Sequence, residues 1–253
     1  MDAEQTVCFV ASAVRTVERM ASLRVLVEDM ATALGISGPT IAATAKKLRE
    51  NNLIRTSGRG TSAALMTKED AAHLLCAIIC SHSIAEAPEL TRRGLKLKYR
   101  GKAIRSPARS AIRQRLKQEK IKTPLDAVTF STFEESLVAL IESAASEADE
   151  TVSEPKRFSE IWSRNAITIR FVAPISIAVI SVVAEEGSNP DEDVVIRYVF
   201  YSGQSELIDT FEKFRLQDLE YRLNGAGFSE SRTITGSIFK AIAISLNKAI
   251  KTK

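Results

Sequence analysis

Two sets of residues in this chain have types and spacings that could do chemistry. The first is His73, Cys76, Cys80 and His82, two imidazoles and two thiols within ten residues, which are ligand types that zinc prefers. Their spacing argues against a metal. On a helix, positions 73, 76 and 80 share a face with Ala72 and Ile79, where cysteines behave as small core hydrophobes. Four ligands on one continuous helix also struggle to close a tetrahedron, so no metal site is expected. The second set is Ser37, Thr40, Thr44, Lys47 and Arg49. These hydroxyls and cations at helical spacing suit hydrogen bonds to base edges and to phosphates.

The second set needs a helix to present it, and the local signals for one are strong. Leu26, Met30, Ala31 and Leu34 recur at helical spacing until Gly35, where a residue tolerant of positive φ ends the helix. After the turn Ile36-Ser37-Gly38, either Ser37 or Gly38 can cap a second helix, and Pro39 suits its first turn because no N–H is required there. Ile41, Ala45 and Leu48 make the buried stripe of that helix, which leaves Thr40, Ala43, Thr44 and Lys47 for the opposite face, with Arg49 just beyond as a phosphate clamp. Beyond Asn51-Asn52 the residues 53–56 read as a strand. The tip Ser57-Gly58-Arg59-Gly60 and a return over 61–66 complete a hairpin whose Arg55 and Arg59 suit a minor groove or the phosphate backbone.

This run resembles the winged helix-turn-helix superfamily of bacterial and phage regulators. The resemblance rests on Ser37-x-x-Thr40-Ile41, Lys46-Lys47-Leu48, Leu53-Ile54 and the basic hairpin tip, and it covers roughly residues 5 to 80. It implies a DNA-binding fold more firmly than it implies control of transcription. Gly38-Pro39 departs from the family habit of placing polar side chains at the start of the second helix, so Thr40, Thr44 and Lys47 are left to read bases.

The charge distribution points the same way. The net charge of +4 hides 22 Lys/Arg against 11 Asp/Glu in residues 1–125 and 13 against 20 in the remainder. Residues 92–122 alone hold thirteen Lys/Arg and one acid, Glu119. Arg92, Arg93, Lys96, Lys98, Arg100 and Lys102 from this stretch are expected to displace counterions from DNA phosphates, which predicts strongly salt-sensitive binding. Tyr99 is its only aromatic residue, which does not make a stacking platform for single strands. Ser106-Pro107 interrupts the stretch, and 108–118 reads as a basic helix.

Between the hairpin and the basic stretch, Thr67-x-x-Asp70 is a capping-box pattern that opens a helix through the two cysteines. The second half begins with a helix over 133–146, capped by Ser131 or Thr132. Three β-rich runs follow at 166–172, 175–184 and 194–201, then helices over 205–223 and 235–251. Pro174 leaves the first two runs either as an antiparallel hairpin or as one bent strand. The expected fold is α+β: a winged helix-turn-helix at 1–82, a basic linker or helical segment at 83–125, and a C-terminal α+β domain at 126–253 with a small antiparallel sheet. That last domain is expected to assemble a homodimer, because a two-fold pair doubles the DNA footprint; the alternative is a pocket for a small-molecule effector, although no convergent polar set marks one.

Several function classes are excluded. No phosphate-binding glycine loop and no nucleophile elbow occurs, so neither an enzyme nor a cofactor is expected. The acids Asp191-Glu192-Asp193 read as a solvated turn, and Glu134-Glu135 as first-turn helix carboxylates. No apolar run approaches the about 20 residues that cross a bilayer, and the acidic start is unlike a secretory leader, so the cytoplasm, in association with the nucleoid, is the expected compartment. The expected partner is double-stranded DNA and the expected role a sequence-specific transcriptional regulator. The alternative is a DNA-handling adaptor for partition, replication initiation or phage packaging.

Overall fold

The first helices are set by short-range caps. Strand β1 (Ala21–Ser22) runs directly into α1 (Leu23–Leu34), where the Ser22 hydroxyl accepts from the Val25 N–H at 3.4 Å. Gly35 closes α1 at φ 64°, a left-handed conformation that a side chain would strain. Ser37 then caps α2 (Gly38–Glu50), with Pro39 in its first turn. After β2 (Leu65–Met66), the complete capping box of Thr67 and Asp70 opens α3 (Lys68–Cys80), and α4 (Ala87–Leu95) follows a six-residue connection. The structure, a computed structural model, describes residues 21–56, 65–105, 123–125, 129–148, 167–173, 177–185, 194–202 and 230–248.

The remaining described elements are β3 (Lys98–Arg105), α5 (Phe133–Ala148), β4 (Ile167–Ala173), β5 (Ile177–Glu185), β6 (Val194–Tyr201), β7 (Glu230–Thr235) and α6 (Ser237–Lys248). Five of the strands form one antiparallel sheet in the order β3-β6-β5-β4-β7. Alternation does the work here: Ile167, Ile169 and Phe171 on β4, Ala178, Ile180 and Val182 on β5, and Ile196, Tyr198 and Phe200 on β6 are all buried on one face. Helix α3 lies against β4 and β7, α5 packs on α3, and α6 packs on both α1 and α5. The chain is thus a mixed α+β fold with six helices among the described residues.

Some expectations meet a different outcome. Residues 53–56 form no strand, because side chains take their backbone groups: the Leu53 carbonyl bonds to His73 and the Arg55 N–H donates to Asp70 at 3.0 Å. The return segment Leu65–Met66 pairs with Ala21–Ser22 instead. The stretch expected as a basic linker or helical segment supplies helix α4 and also the sheet's edge strand β3, in register with β6 from Lys98↔Tyr201 to Arg105↔Val195. A further strand, β7, lies immediately before the last helix, which begins at Ser237. Buried residues from Leu26 to Leu246 form one cluster. The hairpin tip at 57–60 and the helices expected over 108–118 and 205–223 lie outside the described residues.

Candidate nucleic-acid interface

Helix α2 buries Ile41, Ala45 and Leu48 as its periodicity demands, but Thr44 goes in with them, at 6% exposure. Thr44 falls three residues after Ile41 and four before Leu48, on the flank of the buried stripe, and its hydroxyl donates to the Thr40 carbonyl at 3.0 Å. It is therefore not a base-reading group. Ser37 and Thr40 are exposed, and each serves the start of the helix: Ser37 accepts from the Thr40 N–H, and the two hydroxyls lie 2.6 Å apart. The open face of α2 consists of Pro39, Thr40, Ala42, Lys46 and Glu50, with Ala43, Lys47 and Arg49 half-buried beside it. Lys47 reaches Glu50 at 3.4 Å.

Beside that face runs an open cleft of about 890 Å³ between α1 and α2. Its floor is small or apolar, with Val27 from α1 and Gly38, Pro39 and Ala42 from α2, and cations stand around it: Arg24, Lys46 and Arg49. Arg24 is paired with Glu28 at 2.8 Å on the exposed side of α1. Among the described residues neither the Lys46 ammonium nor the Arg49 guanidinium has a hydrogen-bond or ion-pair partner. Lys46 is the member that sequence reasoning missed. It was visible in principle, because it lies seven residues from Pro39 and four from Ala42, two turns and one turn along the same face.

The other expected contacts divide by partner. Arg55 turns its guanidinium to Asp70 at 3.6 Å as well as its N–H, so it compensates a buried carboxylate that also accepts from the Thr67 N–H. Arg92 donates from Nη2 to the Asn51 carbonyl at 3.0 Å, which satisfies the C-terminal end of α2 and ties α4 to it. These two cations hold the fold rather than standing free for phosphates. Arg93 pairs with Glu89 at 2.8 Å on an exposed surface, and Lys96 and Lys98 are exposed. On β3 the Arg100 guanidinium carbon lies 5.1 Å from the Tyr201 ring centroid and the Lys102 Nζ 5.4 Å from that of Tyr198, both in cation–π range. Arg59 lies outside the described residues.

The histidine and cysteine set is divided between two environments. His73 donates from Nε2 to the Glu134 carboxylate at 2.8 Å and from Nδ1 to the Leu53 carbonyl. Burial alone would lower its pKa, but the bonds to Glu134 and Leu53 and the charges of Glu134 and Asp70 outweigh burial and hold the imidazole above its ordinary value. Cys76 and Cys80 are buried with their sulfurs 3.5 Å apart, and burial, then the neighbouring thiol, pushes Cys80 well above the ordinary thiol range. Such a thiol is a poor nucleophile. Among the described residues no group of three or more His, Cys, Asp or Glu is placed to hold a metal, and no helix is long and apolar enough to cross a membrane. Comparison with known proteins returns no family model, curated protein or solved structure that matches the chain.

Proposed function

We propose that this protein binds duplex DNA, as a regulator of transcription, by laying the open face of α2 in the major groove. The observation that carries the reading is the face itself. Pro39, Ala42 and Ala43 keep the helix surface low enough for close approach, while Lys46 and Arg49 stand at its border without a partner among the described residues. Helices α1 and α2 serve as a helix-turn-helix in this account, with α1 crossing the backbone and Arg24 at its start. Lys96 and Lys98 extend the basic surface, and the bond between Arg92 and Asn51 joins α4 to the reading helix. Because Thr40 is occupied with Ser37 and Thr44 is buried, sequence discrimination falls mainly to Lys46, Lys47 and groove shape. A homodimer would place two such faces on one duplex.

The direct test is selection of bound fragments from a random duplex library by the full chain at two salt concentrations. Retention with a recurring motif is expected at the lower salt, and a Lys46→Ala, Arg49→Ala double variant should lose it. Absence of any retained duplex, or equal retention by the variant, overturns the reading.

A further inference from the structure

A second cavity, of about 580 Å³, lies where α1, α2, the turn after α3 and the end of β7 meet. That volume falls inside the roughly 300–1,000 Å³ typical of small-molecule sites. Ile41, Ile78 and Ile234 supply apolar wall from three different elements, and Thr40, Thr44 and His82 bring polar groups to the same space. The Thr44 hydroxyl spends its proton on the Thr40 carbonyl, so its lone pairs remain to accept from a ligand. Among the described residues no Asp, Glu, Lys or Arg lines the cavity. A charged molecule entering it would lose hydration with no counter-charge in return, whereas a neutral one would lose little.

We propose that this cavity is a binding site for a small, neutral, largely apolar molecule that carries a hydroxyl or amide N–H, and that its occupancy alters the presentation of α2. The coupling follows from shared residues. Thr40 and Thr44 belong to the first two turns of α2: Thr44 lies on the buried flank of the helix, and Thr40 belongs both to the cavity wall and to the open face proposed to meet DNA. Ile234 and Thr235 close the far side from the sheet, so a bound molecule would bear on the helix and on the sheet together. The coupling rests on the DNA-binding reading; the binding site does not.

The test uses the full chain and 2-naphthol, followed by the quenching or enhancement of its fluorescence, with 2-naphthoate as the charged counterpart. One saturable site for 2-naphthol is expected, with 2-naphthoate at least about tenfold weaker. Ile84→Trp, at a rim position that is 40% exposed and so tolerant of substitution, and Thr44→Leu, inside the wall, should each weaken 2-naphthol by at least about tenfold while the urea midpoint shows the chain still folded. No saturable binding, or binding unchanged in both folded variants, overturns the site. Duplex affinity measured with saturating 2-naphthol should change for the unsubstituted chain and not for Ile84→Trp; an unchanged affinity in the former overturns the coupling. If the chain binds no duplex at low salt, the DNA reading fails while the 2-naphthol titration still decides the site.

Discussion

Helix α2 and the stretch from α4 into β3 are both rich in Lys and Arg, yet their cations do different work. On α2, Lys46 and Arg49 border a face of small side chains and have no partner among the described residues. On α4, Arg92 is held by the Asn51 carbonyl and Arg93 by Glu89, and on β3 Arg100 and Lys102 lie over tyrosine rings. Residue type alone does not separate a cation left without a partner among the described residues from one that holds the fold. The difference lies in what each side chain meets on folding, and that is set by elements distant in sequence.

The largest effect should come from reversing the charge of Lys46 and Arg49. Lys46→Glu with Arg49→Glu is expected to lower duplex affinity by at least about 100-fold at moderate salt, measured by filter binding, because two favourable phosphate contacts become repulsive. A smaller loss, equal to that of Lys98→Glu with Arg100→Glu, would erase the distinction between the two regions. Next is Arg92→Ala, which leaves the carbonyl end of α2 without its charged donor and should cost about 2 kcal/mol in urea unfolding. Arg93→Ala, which breaks only an exposed pair, should change stability by less than about 0.5 kcal/mol.

Gly94 is where α4 approaches the two cysteines of α3 closely. A Cβ there would lie 2.8 Å from the Cys80 sulfur and 2.9 Å from that of Cys76. Gly94→Ala should therefore destabilise by about 1–2 kcal/mol, and combining it with Cys76→Ala and Cys80→Ala should recover part of that loss, read as a smaller penalty in the cysteine-free background. The smallest effect concerns His73, which links the segment after α2 to α5. Its pKa is raised in the folded state, so its contribution is complete below the unfolded value near 6.5 and is lost as pH rises through the folded value. The stability gap between the unsubstituted chain and His73→Leu should be widest below pH 6.5 and close on the alkaline side, in urea titrations across pH.

What was legible in the residues was what short-range chemistry decides. Gly35, Ser37, Pro39 and the Thr67–Asp70 box act within four residues of themselves, and they placed three helix ends correctly. The β-branched alternation of β4, β5 and β6 survived for the same reason. Strand β3 was hidden because its exposed positions are Lys and Arg and a bulge between Tyr99 and Gly101 breaks the alternation. Thr44 was misassigned because burial at the edge of a helical stripe depends on what packs there, and Ile234 and Thr235 come from the far end of the chain to share its cavity. Arg55 and Arg92 could not be sorted from free cations without knowing that Asp70 and the Asn51 carbonyl would meet them.

The central claim, that the open face of α2 grips duplex DNA, is tested most directly by fluorescence anisotropy with a labelled random duplex at ~50 mM and ~200 mM salt, a range over which phosphate contacts weaken sharply. The unsubstituted chain should bind at the lower salt and weaken at the higher, Lys46→Ala with Arg49→Ala should bind at least about tenfold more weakly, and Thr44→Val should match the unsubstituted chain within about twofold. Absence of binding by the unsubstituted chain at the lower salt, or equal affinity in the Lys46 and Arg49 double variant, would contradict it.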